Sequence, residues 1–196
     1  MNFKIFEIIE TKQFQFVQIY KNANLSVYEC IKSCYKSEEV ILGNLLSNKI
    51  RLCVIRDPYE RFLSGLRYDL LTHNTDIKDI DIKKLFTTNE INILNFRRGN
   101  IKHSISQIPY LMNTKITHYV DMKDLNLFLK MHFGKSEHIN KFPEKYKDSK
   151  FYNVEEYLDK NEIMKYLHLD YYIYNHIKNS SFLWEWQHGK IFDVKT

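Results

Sequence analysis

The fold is decided by one stretch, which reads Leu52-Cys53-Val54-Ile55-Arg56-Asp57-Pro58-Tyr59-Glu60-Arg61-Phe62-Leu63-Ser64-Gly65. It begins with an apolar run of the kind that forms a buried strand. Asp57 is a favourable N-cap residue, Pro58 suits the first helical position, and Glu60 completes a capping-box-like pattern. The stretch therefore predicts a strand, a tight turn and a helix. Arg56 stands at the carboxyl end of the strand, which is where open α/β sheets bind ligands.

Two polar side chains of this stretch bear on chemistry. Ser64 lies roughly 9 Å along the helix axis from Pro58, and a long arginine side chain can cover much of that gap. The Arg56 guanidinium, bidentate, and the Ser64 hydroxyl could then hold one phosphate group. The alternative is that Arg56 pairs with a surface carboxylate and Ser64 only occupies a helix position. The stretch by itself leaves both interpretations open.

A second strand-loop-helix unit precedes this one. A β-rich run over 14–19 leads into the loop 21–26, and a helical pattern follows. Ser26 and Glu29 form an S-x-x-E pattern, which predicts that the helix is capped at Ser26. The N-terminus of a helix attracts anions through its free N–H groups and its dipole, and Lys21 adds a full positive charge there.

Length and composition predict a single domain over residues 1–196. The 44% hydrophobic and 27% charged content is that of a soluble globular protein. The net charge of +5 favours an anionic ligand but is too diffuse to indicate nucleic acid. No signal peptide or membrane span is evident, and three cysteines do not suggest a disulfide framework, so we expect a cytoplasmic protein without a membrane partner. The oligomeric state stays open.

The two units together resemble the sulfotransferases that use 3′-phosphoadenosine 5′-phosphosulfate, and in form they are closest to the carbohydrate-type branch. Residues 54–64 are similar to the family's 3′-phosphate motif, including the eight-residue step from Arg56 to Ser64. Residues 16–26 resemble the 5′-phosphosulfate loop, which usually reads as apolar residues, Pro-Lys, small residues and then Ser or Thr. In this chain Tyr20 replaces the usual Pro, and Asn24-Leu25 replaces the usual Gly-Thr.

The resemblance implies a fold and a reaction. The fold is α/β, three-layer and P-loop-like, with a mainly parallel central sheet flanked by helices. The reaction transfers a sulfuryl group from 3′-phosphoadenosine 5′-phosphosulfate to a hydroxyl, with a saccharide acceptor implied by the branch. Lys21 then neutralises the phosphosulfate and the leaving phosphate oxygen, while Arg56 and Ser64 hold the 3′-phosphate. The backbone N–H groups of residues 22–26 and the Ser26 hydroxyl cradle the 5′ side, so the resemblance implies that the cofactor-binding residues of this loop are Lys21, Asn22, Ala23, Asn24, Leu25 and Ser26.

Removing the acceptor proton requires a general base, which contributes about 10²–10⁴-fold to such reactions. His103 is the first choice, because Ile101 to Leu111 resembles the His-x-x-x-Gln stretch on the acceptor side of the carbohydrate-type branch, and histidine titrates near neutrality. A loop histidine that caps a helix is the alternative interpretation. His73 and Glu29 are further candidates for the base. The chemistry needs no metal, and the eight histidines show no ligand spacing.

Three other function classes compete with this one. A P-loop nucleotide-binding protein or kinase could use the strand over 52–55 followed by a metal-binding Asp57, but residues 17–27 lack the glycines of G-x-x-x-x-G-K-[ST]. A non-catalytic module could bind an anionic polymer or nucleic acid through lysine and tyrosine. A degenerate sulfotransferase could bind the nucleotide without turnover. Near the C-terminus, the pattern over 182–194 predicts a hairpin that turns at His188-Gly189.

Overall fold

The computed structural model describes residues 8–19, 21–36, 39–42, 48–83, 106–108, 111, 114–135 and 153–192. The chain forms two compact units, each assembled from separate segments. The first comprises Met1–Arg56, Tyr110–Asn140 and Tyr174–Thr196, and the second comprises Asp57–Pro109 and Lys141–Ile173. The single domain over 1–196 stays a prediction.

The described strands form one five-stranded sheet in the first unit. They are β1 (Ile8–Glu10), β2 (Phe14–Val17), β3 (Ile41–Leu42), β4 (Ile50–Ile55) and β5 (His118–Asp121), in the spatial order β3-β1-β2-β4-β5. Neighbours β2, β4 and β5 pair in parallel, whereas β1 is antiparallel to both β2 and β3. Four of these five strands thus point the same way. The prediction of an α/β fold with a mainly parallel open sheet flanked by helices is confirmed.

The exception, β1, runs the other way because a short turn joins it to β2. The Thr11 N–H donates to the Phe14 carbonyl at 2.9 Å, and the Thr11 hydroxyl donates to the same oxygen at 3.1 Å. A connection this short can join only antiparallel strands, since parallel neighbours need a crossover.

Five α-helices are described: α1 (Asn24–Cys34), α2 (Pro58–His73), α3 (Leu125–Phe133), α4 (Lys160–Tyr166) and α5 (His168–Lys178). One face of the sheet packs against α1 and α3. Side chains alternate along a strand, so Phe14 and Phe16 of β2 share this face with Leu52 and Val54 of β4. They form one buried cluster that also contains Val27, Ile31, Leu125, Phe128 and Leu129.

The second unit has a core of its own around α2. Phe62, Leu66 and Leu70 follow at intervals of four residues, which places them along one face of the helix. They pack with three other buried side chains, which are Val154, Ile163 of α4 and Leu167, the residue that follows α4. Within the described residues, no helix of either unit is both long and apolar enough to cross a membrane.

Asp57 caps α2 as the sequence predicts. Its Oδ1 accepts hydrogen bonds from the N–H groups of Tyr59 and Glu60, both at 3.0 Å. The Tyr171 hydroxyl donates to both carboxylate oxygens, at 3.1 and 3.2 Å. Partial burial and, after it, the neighbouring Asp57 charge raise the pKa of Tyr171. The carboxylate that starts the helix therefore also ties α5 to it.

Replacing Asp57 with alanine should lower the free energy of unfolding by about 1–2 kcal/mol, because the first turn of α2 loses its cap and the Tyr171 hydroxyl loses its acceptor. Asp57→Asn is the matched control, since asparagine caps about as well and can still accept from the tyrosine. Urea denaturation followed by circular dichroism measures both. Equal stability of Asp57→Ala and the wild type would contradict this account of the cap.

The predicted hairpin over 182–194 is wrong for the residues described there. Leu183 forms a single parallel bridge with Tyr119 of β5, through Tyr119 N–H to Phe182 O at 2.8 Å and Trp184 N–H to Tyr119 O at 2.7 Å. The chain then turns through a short 3₁₀ helix, Trp186–His188. The segment adds to the free edge of β5 instead of pairing with itself.

Candidate functional site

The loop between β2 and α1 contains two residues in the left-handed region, Lys21 with φ 65° and Ala23 with φ 58°. For an L-residue that conformation costs roughly 1–2 kcal/mol, and glycine is its usual occupant. The Asn22 N–H closes the turn on the Ile19 carbonyl at 3.1 Å. Asn22 also joins the loop to the neighbouring strand, because its Nδ2 donates to the Val54 carbonyl at 2.7 Å. The loop thus contains two backbone conformations that are typical of glycine, although residues 21–26 include no glycine.

α1 begins two residues before the predicted cap. Its first residue is Asn24 and its N-cap is Ala23, which makes no side-chain hydrogen bond to the helix. The predicted Ser26–Glu29 capping box is therefore wrong: Ser26 is inside the helix and fully buried, and the exposed Glu29 lies 3.9 Å from Lys32 Nζ. The first turn contains no acidic residue. The Ala23 side chain provides no acceptor for the N–H groups of that turn, which lie at the positive end of the helix dipole.

Arg56 lies against this loop. β2 and β4 are parallel neighbours, so the residues after Val17 and after Ile55 leave the same edge of the sheet. The Arg56 guanidinium donates from Nη1 to the Lys21 carbonyl at 3.5 Å, which is long for a hydrogen bond. The two cationic residues chosen from the sequence thus meet at the carboxyl edge of adjacent strands.

Two residues at the start of α1 differ in their surroundings. Asn24 has its Oδ1 buried with no hydrogen-bond partner among the described residues. Rotating the amide by 180° would present its NH₂ group at the same buried position. Leu25, one residue further along α1, is 51% exposed.

The remaining predicted site residues are on the second unit or outside the described residues. Ser64 is a half-buried residue of α2, and His73 is exposed at its last turn. His103 lies outside the described residues. Gln107, four positions later in the same motif, is buried, and its N–H donates to Asp170 Oδ1 at 3.0 Å. The assignments of Ser64, His73 and His103 stay predictions.

The sequence reasoning did not single out Asp121, which ends β5 and pairs in register with Ile55 of β4. The carboxylate is buried, accepts from the Tyr174 hydroxyl at 2.9 Å and lies 3.6 Å from Lys178 Nζ. An aspartate at the carboxyl end of a strand was the available signal in the sequence. A group of three histidine, cysteine or acidic side chains that could hold a metal does not occur among the described residues.

The fold and these contacts define an α/β protein with two cationic residues and a helix N-terminus at the carboxyl edge of its parallel strands. No model of a known protein family, no curated protein and no solved structure matches the chain.

Glycine substitutions at two left-handed positions should have different effects. Lys115 (φ 46°) is exposed, so Lys115→Gly relieves about 1–2 kcal/mol of strain and costs about 0.4–1 kcal/mol in chain entropy. We expect it to raise the free energy of unfolding by about 0.5–1 kcal/mol. Ala23→Gly also loses a buried methyl group, worth about 0.8 kcal/mol, and should be nearly neutral. Urea midpoints measure both, and clear destabilisation by Lys115→Gly would contradict the strain argument.

Proposed function

We propose that this protein is a sulfotransferase that uses 3′-phosphoadenosine 5′-phosphosulfate and transfers its sulfuryl group to a hydroxyl, with a saccharide as the acceptor class. The proposal includes the three-layer P-loop-like architecture of that family. The observation that carries it is the meeting of Lys21, the N-terminus of α1 and Arg56 at one edge of the sheet, with Arg56 Nη1 3.5 Å from the Lys21 carbonyl.

The residues of the loop fit a phosphosulfate group. An anion there would meet the positive end of α1, the N–H groups of its first turn and the charge of Lys21, with no carboxylate in that turn to repel it. The left-handed residues at 21 and 23 bend the chain at the point where it enters the helix. Ala23, Asn24 and Leu25 take part through their backbone.

Arg56 is the residue that we expect to distinguish nucleotides with a 3′-phosphate from those without one. A guanidinium can bind a phosphate through two parallel hydrogen bonds, which gives geometric specificity as well as affinity. Arg56 follows β4 directly, next to the loop that would hold the 5′ side. We therefore assign the 3′-phosphate to Arg56, and the additional assignment of Ser64 rests on the sequence motif alone.

When bound, the cofactor supplies a sulfuryl group whose bond to the phosphate oxygen breaks as the acceptor oxygen bonds to sulfur. Lys21 and the N-terminus of α1 stabilise the negative charge that grows on the leaving phosphate oxygen. Arg56 holds the nucleotide in place, so that binding energy is used to orient the reacting groups. A base takes the acceptor proton, and His103 is assigned to it from the sequence, with His73 and Glu29 as the other candidates.

A non-catalytic protein that binds adenosine 3′,5′-bisphosphate or a similar anion is the second candidate. The observation that favours it is the complete burial of Ser26, whose hydroxyl the sequence motif assigns to the phosphosulfate. A P-loop kinase is less favoured, because the Asp57 carboxylate is engaged by two backbone N–H groups and by Tyr171. Those contacts leave it poorly placed to serve as the metal-binding aspartate of a kinase.

A thermal-shift panel separates these candidates. Adenosine 3′,5′-bisphosphate should raise the melting temperature more than ADP does, and ATP with magnesium should give no extra stabilisation over ADP. Transfer of radiolabelled sulfate to a mixture of saccharides then distinguishes an enzyme from a binder. Stabilisation by ATP that depends on magnesium would favour the kinase, and tight bisphosphate binding without transfer to any acceptor would favour the non-catalytic protein.

A further inference from the structure

His132 is a buried histidine of the first unit that nothing in the proposed transfer reaction uses. It is the next-to-last residue of α3, and it is only 3% exposed. Its ring stacks on Phe128 with 4.1 Å between the ring centroids, and its centroid is 4.8 Å from that of Phe192. A positive charge on an imidazole in these aromatic surroundings is costly, so the folded structure favours the neutral ring.

Both ring nitrogens of His132 bond to the backbone. Nδ1 lies 2.9 Å from the Phe128 carbonyl oxygen, and because a carbonyl can only accept, Nδ1 carries the proton. Nε2 accepts from the Ile191 N–H, also at 2.9 Å. A second proton on Nε2 would set two N–H groups against each other. The hydrogen bond to Ile191 therefore exists only while the ring is neutral.

Ile191 belongs to the segment 189–192, which joins the core through three kinds of contact. The Phe192 ring stacks on Phe14 of β2, with 4.2 Å between the centroids and 16° between the ring planes. The Gly189 carbonyl accepts from the Trp184 indole N–H at 2.9 Å. The third contact is the bond from the Ile191 N–H to His132. Of these three contacts, the bond to His132 is the one that protonation of a side chain abolishes.

Other titratable or charged side chains belong to the elements around this contact, and a pH response must be distinguished from theirs. Cys34 of α1 places its Sγ 3.5 Å from the Phe133 carbonyl oxygen. His118 of β5 is half-buried, and burial lowers its pKa. The others are exposed and are Lys130 of α3, Glu185, His188 and Lys190. Histidine is the residue type among them that titrates between about pH 5 and 8, so His118 and His188 are the competing groups.

We propose that His132 is a pH-sensitive latch, which holds the segment 189–192 on the core while its ring is neutral and releases the segment when Nε2 is protonated. In the released state the imidazole reaches water and titrates as an ordinary histidine, near about pH 6.5. The closed state has no place for a proton on Nε2, so release takes up one proton. The closed state is therefore favoured above about pH 6.5, and each pH unit below that value moves the equilibrium about tenfold toward release.

Amide hydrogen exchange of the ¹⁵N-labelled full-length protein, followed by NMR from about pH 8 to about pH 5, tests this proposal. After correction for the intrinsic effect of pH on exchange, the Ile191 amide and the Trp184 indole N–H should keep constant protection above about pH 7. Below about pH 6 their protection should fall about tenfold per pH unit. The amides of β4 should keep their protection, because the release is local. The imidazole ¹⁵N shifts should report the Nδ1–H form of His132 at about pH 8.

His132→Phe keeps an aromatic ring in the stack but offers Ile191 no acceptor. Its Ile191 amide should be about tenfold less protected than in the wild type at about pH 8, and that protection should not depend on pH. His118→Gln and His188→Gln are the controls, because they remove the two competing histidines, and both should keep the wild-type pH profile. The wild-type profile and the imidazole shifts test the proposal even if His132→Phe does not fold. A flat profile in the wild type, an unchanged slope in His132→Phe, loss of the slope in either control, or an equal loss of protection in β4 would each overturn it.

Discussion

Replacing Lys21 with alanine should lower turnover about 10²–10³-fold, while the affinity for adenosine 3′,5′-bisphosphate falls much less. The reason is that Lys21 precedes the N-terminus of α1, where, in the proposed transfer, negative charge would grow on the leaving phosphate oxygen. An interaction that strengthens as charge develops lowers kcat more than it weakens ground-state binding. Alanine is also the cleanest replacement, because it has a Cβ and so retains the strain of the left-handed conformation at φ 65°.

Three measurements on one preparation test this prediction: the melting temperature, the bisphosphate affinity by calorimetry, and the turnover with a saccharide acceptor. Lys32→Ala is the matched control, because it removes an exposed lysine from the opposite end of the same helix. The control should leave all three quantities nearly unchanged. Equal losses of turnover and affinity in Lys21→Ala would mean that Lys21 only binds the nucleotide.

The elements that the sequence predicted well depend on local signals. The helix that begins at Pro58 has a proline at its first position, an aspartate that accepts two N–H bonds, and apolar residues at intervals of four. Each of these signals acts within one or two turns of the chain. The strand before this helix, β4, could be predicted equally well, because a short apolar run bounded by polar residues is typical of a buried strand.

The start of α1 was predicted wrongly because competing local signals differ little in energy. Ser-x-x-Glu is a good cap, worth about 1 kcal/mol, so Ser26 was the natural choice. The chain instead places Ala23 in a left-handed conformation and buries Ser26, while Asn22 bonds to Val54 of the neighbouring strand. That contact joins residues that are 32 apart in sequence, so it could not be predicted from helix propensities, which depend only on neighbouring residues.

The residues of the candidate site also differ in how far the sequence could predict their contacts. Lys21 and Arg56 could be predicted to meet, because parallel neighbouring strands bring their carboxyl ends to one edge. The contacts of Asp121 could not be predicted, since its partner Tyr174 is 53 residues away.

We expect the protein to bind adenosine 3′,5′-bisphosphate more tightly than ADP, and Arg56→Ala should remove most of that preference. Losing a bidentate, charge-assisted contact typically costs about 1.5–3 kcal/mol, which is about 10–150-fold in affinity. The affinity for ADP, which has no 3′-phosphate, should change little. The fold should survive, because the 3.5 Å contact of Arg56 with the Lys21 carbonyl is long, and Asn22 holds the loop to β4 independently.

Calorimetry with both nucleotides on the wild type, Arg56→Ala and Arg56→Lys measures this preference. The lysine variant keeps the charge without the planar fork, so it should retain only part of the preference. Arg67→Ala is the matched control, because it also removes an arginine close to Arg56 in the sequence. Arg67 lies on α2, and its Nη2 is 2.9 Å from Glu155 Oε1. That variant should bind both nucleotides as the wild type does. If the wild type itself bound the two nucleotides equally, the assignment of the 3′-phosphate to Arg56 would be wrong, whereas a preference that survives in Arg56→Ala would move that assignment to another residue.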